Sequence, residues 1–146
     1  MRAAAQPTRN SPFRLEHMKV LVTGGAGYIG SHVVRMLQER GDQVVVVDDM
    51  SEGVRARIGD TKLVQLDLAA PEAFEALKTL FNTDNIDAVV HFAARKKVGE
   101  SVEKPEWYFS QNIGGMANLM GAMREAGVNK LVFSSSEIGR ASCRER

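Results

Sequence analysis

The distribution of apolar residues predicts an α/β fold, a doubly wound parallel sheet, and three observations carry that expectation. Short β-branched runs alternate with longer helical stretches from Met18 onward. Runs such as Val44-Val45-Val46-Val47 and Ala88-Val89-Val90 are apolar on successive residues, as strands covered on both faces require. Glycine and proline punctuate the pattern: Gly41 and Gly127 stand at expected helix C-caps, Pro71 and Pro105 in expected first turns. Strands alternating with helices mean βαβ units, and five such strands joined by right-handed crossovers give the order 3-2-1-4-5.

In chain order the expected strands are Lys19–Thr23, Gln43–Asp48, Lys62–Leu66, Ala88–Phe92 and Lys130–Ser134. The expected helices are Ile29–Arg40, Pro71–Phe81 and Pro105–Ala126. Ahead of them, residues 1–17 have no helical or alternating period and carry Pro7 and Pro12, which reads as a disordered extension or as sequence upstream of a start at Met18. A transit peptide is the alternative, since the segment bears arginine and is mostly non-acidic. The regular domain runs over residues 18–136, breaking off after the fifth strand. Residues 137–146 have no apolar period, and all ten match the codons GAG ATC GGA AGA GCG TCG TGT AGG GAA AGA of a sequencing adapter. That tail is expected to be artefactual, with a natural basic C-terminus as the alternative.

Bulk properties narrow the function classes. The chain has 146 residues, 44% hydrophobic and 25% charged, which is the composition of one globular domain. With 19 basic and 18 acidic residues the net charge is +1, which gives no electrostatic footprint for nucleic acid or an anionic membrane. The lone cysteine, Cys143, excludes an internal disulfide and lies in the suspect tail. No apolar run approaches the roughly 20 residues that span a bilayer. A soluble cytoplasmic protein is therefore expected.

The stretch with most chemistry is Thr23-Gly24-Gly25-Ala26-Gly27-Tyr28-Ile29-Gly30-Ser31-His32, where the first strand gives way to a helix. Glycines at 24, 27 and 30 suit a tight turn, a close backbone approach to a pyrophosphate, and close packing of helix on strand. Free N–H groups at the helix start then hold the diphosphate. Asp48 ends the second strand, where a carboxylate accepts hydrogen bonds from adenosine ribose hydroxyls. It repels a 2′-phosphate and Asp49 adds to that repulsion, so NAD is favoured over NADP. Asp48, Asp67, Phe92 and Ser134–Ser136 all follow strands, so one edge of the sheet gathers them. Lys96 near that edge reads either as a partner of a phosphate or ribose hydroxyl, or as a solvated loop lysine. His91 reads as a packed histidine, Met116, Met120 and Met123 as core residues, and Trp107 and Tyr108 as anchors of the long helix. His32 has no metal-ligand companion, and no metal site is expected.

Four stretches resemble the extended short-chain dehydrogenase/reductase family, with its Rossmann-type domain, and within it the nucleotide-sugar 4-epimerases. They are the glycine loop, Asp48-Asp49-Met50-Ser51, the run from His91 to Ser101, and Phe133-Ser134-Ser135-Ser136. Lys96 and Val98-Gly99-Glu100-Ser101 narrow the match to the 4-epimerases. The resemblance implies that Tyr28 and Ile29 contact the cofactor diphosphate and that Asp48, Asp49 and Ser51 surround the adenosine ribose. It implies that Asp67 and Leu68 bracket the adenine, that Phe92, Ala93, Ala94 and Lys96 line the cofactor, and that Asn112 reaches it from the long helix. Ser136 matches the serine that binds the sugar hydroxyl at the reacting carbon. Asp49 replaces the usual asparagine, and Arg95 stands at a variable position.

The activity so implied is interconversion of UDP-galactose and UDP-glucose by C4 oxidation and reduction through a 4-keto sugar, with NAD as cofactor, a UDP-sugar as partner and a homodimer as assembly. Its base in that family is the tyrosine of a Tyr-x-x-x-Lys motif. Here Tyr28 is followed four residues on by His32, and Tyr108 by Asn112, so the motif is absent and the chain as given is expected not to epimerise. A related nucleotide-sugar dehydratase and a non-catalytic NAD-binding module remain the alternatives.

Overall fold

The computed structural model describes residues 17–135. The readings of residues 1–16 and of 137–146, and the role assigned to Ser136, lie outside the described residues. Five parallel strands, β1 (Lys19–Thr23), β2 (Gln43–Asp48), β3 (Lys62–Gln65), β4 (Ala88–His91) and β5 (Leu131–Phe133), form one sheet in the order β3-β2-β1-β4-β5. That is the doubly wound, Rossmann-type order the sequence predicts. β1 is central, paired on one side with β2 (Leu21 opposite Val45) and on the other with β4 (Leu21 opposite Val89).

Side chains alternate across a strand, and here the alternation separates two cores. Val20, Val22, Val44 and Val46 pack with Val34 of α1 (Tyr28–Arg40) and with Ile58. Leu21, Val45, Val47 and Val89 pack on the opposite face with Leu77, Leu80 and Phe81 of α2 (Ala73–Asp84) and with Leu119, Ala122 and Met123 of the last helix. Both faces are thus covered, which is why the central strands read as unbroken valine. Gly41 ends α1 in the left-handed region at φ 96°, with its N–H and that of Asp42 donating to the carbonyls of Gln38 and Leu37. A left-handed Gly127 (φ 73°) closes the last helix in the same manner.

Several details differ from the sequence reading. Pro71 lies in the turn ahead of α2, whose first helical residue is Ala73, because the chain turns at Ala70 before the helix closes. A short helix, α3 (Val98–Glu103), forms where no element is expected, its first turn closed by Ser101 N–H donating to the Lys97 carbonyl. The expected single long helix is α4 (Pro105–Phe109), a π turn over Ser110–Gly114, and α5 (Gly115–Glu125). Consecutive glycines Gly114 and Gly115 remove the side-chain support that would hold a tighter turn, and Gly115 lies close under Leu68. Met116 is half-buried and Met123 buried, but Met120 is 53% exposed, since the covered stripe of α5 runs through Gly115, Leu119, Ala122 and Met123 instead. Among the described residues no helix is long and apolar enough to cross a membrane, and no group of acidic, histidine or cysteine side chains is arranged to hold a metal ion.

Candidate functional site

The carboxyl ends of β1, β2, β3 and β4 meet along one edge, and the glycine loop lies at its centre. Gly24 takes φ +67°, and a Cβ there would lie 2.7 Å from the backbone nitrogen of Ala93. The loop therefore turns directly against the end of β4, an approach only glycine permits. A Cβ on Gly30 would lie 2.2 Å from the Gly24 carbonyl oxygen, so this glycine lets α1 start against the loop. Gly27 is the N-cap of α1 and offers no side-chain acceptor, and no acidic residue stands in the first turn. The first N–H groups of α1 thus lack an intrahelical partner and sit at the positive end of the helix dipole. Such a cradle suits a diphosphate. Tyr28 and Ile29 stand exposed at its rim, with Tyr28 edge-on to His32.

Asp48 is buried at the end of β2, and its carboxylate braces the loop. Oδ2 accepts from the Ala26 N–H at 3.0 Å and Oδ1 from the Met50 N–H at 2.9 Å. Two bonds leave lone pairs on a carboxylate that has about four acceptor sites. Gly53 closes over it, since a Cβ there would stand 2.8 Å from Oδ1. The carboxylate expected at the ribose is therefore also a structural brace of the glycine loop.

Asp49, Ser51, Asp67 and Asn112 are joined by a residue that sequence reasoning left aside. The Arg95 guanidinium pairs with the Asp49 carboxylate, donates to Ser51 Oγ at 2.6 Å, and reaches Gln111 Oε1 at 3.4 Å. Gln111 in turn donates to Asp67 Oδ2 at 3.1 Å. The Asn112 amide is taken up by the Arg95 backbone, accepting from its N–H at 2.7 Å and donating to its carbonyl at 3.0 Å. The π turn supplies both Gln111 and Asn112, its wider winding bringing neighbouring side chains toward one face. The Arg95 guanidinium also lies over the Trp107 ring, 5.2 Å from its centroid. Burial pulls the Asp49 carboxyl upward, but hydrogen bonds from Ser51 and the charge and hydrogen bond of Arg95 outweigh it and hold it below the ordinary value.

The remaining expected residues divide between the edge and the core. Phe92 and Ala93 are half-buried beside the loop and Ala94 is exposed. Lys96 is exposed and makes no ion pair among the described residues, whereas Lys97 pairs with Glu52. Leu68 turns its side chain into the core, and its carbonyl accepts from Asn118 at 2.8 Å, so only its backbone borders the edge. His91 is packed as expected: its Nδ1 lies 2.7 Å from Thr23 Oγ1, its ring stacks on Phe133, and burial pushes its pKa below the ordinary value. Tyr108 is buried and accepts the Lys97 N–H at 2.8 Å, which anchors α4 as expected. A surface depression between α1 and residues 56–61 contains none of these groups.

The missed residue had a signal in the sequence. In the order 3-2-1-4-5 the loops after β2 and β4 flank β1, and one carries Asp49 and Glu52 while the other carries Arg95 and Lys97. Opposite charges in loops that flank one strand predict the pairing that the structure contains.

In sequence and in structure this chain is similar to UDP-glucose 4-epimerases. The UDP-glucose 4-epimerase of Streptococcus mutans is 49% identical over 121 residues, covering 82% of this chain and 36% of that protein. The structure of UDP-glucose-4-epimerase from Stenotrophomonas maltophila, with bound NAD and formylated UDP-arabinopyranose, superposes with a TM-score of 0.75 at 48% identity, covering 82% of this chain and 37% of that one. The Brucella ovis UDP-glucose 4-epimerase in complex with NAD superposes with a TM-score of 0.75 at 37% identity, covering 81% and 35%. The chain thus spans little more than a third of the length of the relatives it matches. The model of the NAD dependent epimerase/dehydratase family matches residues 20–142, well over half of the chain. The chain belongs to the NAD dependent epimerase/dehydratase family.

Proposed function

We propose that this chain is the NAD-binding part of a UDP-glucose 4-epimerase, and that the whole enzyme interconverts UDP-galactose and UDP-glucose. The observation that carries the reading is the cradle formed by Gly24, Gly27 and Gly30, braced by Asp48 through the Ala26 N–H. The first N–H groups of α1 hold the diphosphate between Tyr28 and Ile29, and Asp48 takes the ribose hydroxyls with its remaining lone pairs. Asp49 and Ser51 stand beside the ribose. Asp67 and the Leu68 backbone border the adenine, and Phe92, Ala93, Ala94 and Lys96 line the groove past β4. Asn112 acts through the Arg95 backbone, which it fixes. Ser136 takes the sugar hydroxyl at C4. The nicotinamide supplies the site for hydride removal from C4 and its return.

The proton at that hydroxyl needs a base, and this stretch of sequence has no Tyr-x-x-x-Lys pair. The chain as given therefore holds cofactor without turnover. Phe109, Ile113 and Met120 form an exposed apolar stripe along α4, the π turn and α5, and this supports a homodimer as the assembly. The test is expression of the full reading frame from the same locus and chromatography of its products from UDP-galactose. UDP-glucose is the expected product; a dehydrated 4-keto-6-deoxy sugar, or no reaction with active NAD-loaded protein, contradicts the assignment. The 146-residue chain in the same assay is expected to give no product.

A further inference from the structure

We propose that Arg95 is a latent receptor for a 2′-phosphate at the ribose end of the groove, and that the Asp49 carboxylate holds it shut so that the site selects NAD over NADP. The inference rests on the NAD reading above. It assigns a role to a residue whose position in the sequence carried none.

Four observations support it. Arg95 is fixed rather than free: its backbone is clamped by both atoms of the Asn112 amide, its guanidinium lies on Trp107, and its Nε reaches Gln111. Its two terminal nitrogens are directed at Asp49 and Ser51, which follow Asp48 at the end of β2, the strand end that meets the ribose. Guanidinium is the side chain best suited to a phosphate, because it presents parallel N–H donors that match two oxygens. Both terminal nitrogens already have an anionic or hydroxyl acceptor, so a 2′-phosphate would meet the Asp48 and Asp49 charges with the neighbouring cation already neutralised. Ser51 holds Asp49 in that position by donating both its N–H, at 3.0 Å, and its hydroxyl, at 2.7 Å, to Asp49 Oδ1. The ordinary account of such a site needs only repulsion by acidic residues. Here the acidic residue also occupies a cation that could reverse the preference.

The two accounts separate in a double-mutant cycle read by binding. The full 146-residue chain, Asp49→Asn, Arg95→Ala and the double variant are titrated with NADH and NADPH by nucleotide fluorescence, with NADH affinity serving as the check that each variant keeps its site. Asp49→Asn is expected to shift the NADH/NADPH affinity ratio toward NADPH by about tenfold or more, a change of about 1.4 kcal/mol. In the Arg95→Ala background the same substitution is expected to give at most a small part of that gain. Arg95→Ala alone leaves Asp49 unpaired and is expected to weaken NADPH further relative to NADH. An unchanged ratio in Asp49→Asn, or an equal gain with and without Arg95, overturns the proposal and leaves simple repulsion. If Asp49→Asn loses NADH binding altogether, the Arg95→Ala ratio decides alone, and no shift there overturns it. Failure of the unsubstituted chain to bind NADH overturns the NAD reading itself, and this inference with it.

Discussion

His91 and Thr23 meet in the interior, on neighbouring strands, with no charged partner for the imidazole among the described residues. Burial lowers the His91 pKa, so the folded state holds the ring neutral where an unfolded chain would protonate it at its ordinary value of 6.5. The unfolded state then binds more protons, and stability is expected to fall as pH drops from 6.5 toward the depressed folded value. Denaturant melts at successive pH values measure this, and His91→Phe is expected to remove the part of the slope that lies between pH 6.5 and the carboxylate range. A melt whose slope there is unchanged by the substitution contradicts the assignment. Gly30 makes a second prediction at this scale. A Cβ 2.2 Å from the Gly24 carbonyl forces the loop to move, so Gly30→Ala is expected to cost about 1–3 kcal/mol in a thermal or denaturant melt and to weaken NAD binding at least tenfold. The glycines and Asp48 were legible in the sequence because their spacing after an apolar strand has one physical use. Arg95 was legible only at one remove, because its meaning depends on Asp49, 46 positions away, and appears only when the charges of the two loops are compared through the strand order.

At the scale of elements, alternation within Val44–Val47 specified both cores at once, and the left-handed glycines fixed two helix ends. The break at Ser110–Gly114 escaped the pattern, since a π turn keeps the same apolar side roughly in register while shifting one residue. Its consequence is local: it places Gln111 and Asn112 side by side over the sheet edge. The opposite face rests on α2 against α5, where Leu77 and Leu119 are fully buried. Leu77→Ala is expected to lower unfolding free energy by about 2–5 kcal/mol in chemical denaturation, the range for a leucine removed from a rigid core. β5 pairs only with β4 among the described strands, and Val132 and Phe133 are 62% and 54% exposed. An apolar, unpaired edge recruits other chains. Val132→Lys is expected to slow aggregation of this chain, measured by light scattering, without changing NAD affinity; equal scattering from both would place the aggregating surface elsewhere.

For the whole molecule, the unbroken apolar strands located the fold class, while the proposed assembly rests on which helix residues remain uncovered. The stripe Phe109, Ile113 and Met120 supports pairing of two chains through this helical face. Ile113→Lys is then expected to lower the mass seen by sedimentation with the nucleotide site intact, since that site lies on the sheet edge and Ile113 does not contribute to it. The central claim is simpler and precedes assembly: the edge built from the glycine loop, Asp48 and the end of β4 is a site for NAD. Calorimetric titration of the folded 146-residue chain with NAD tests it most directly. The account predicts saturable binding of one NAD per chain, greatly weakened in Gly30→Ala. A folded chain with no saturable binding up to about 1 mM NAD, a free energy weaker than about −4 kcal/mol, would contradict it.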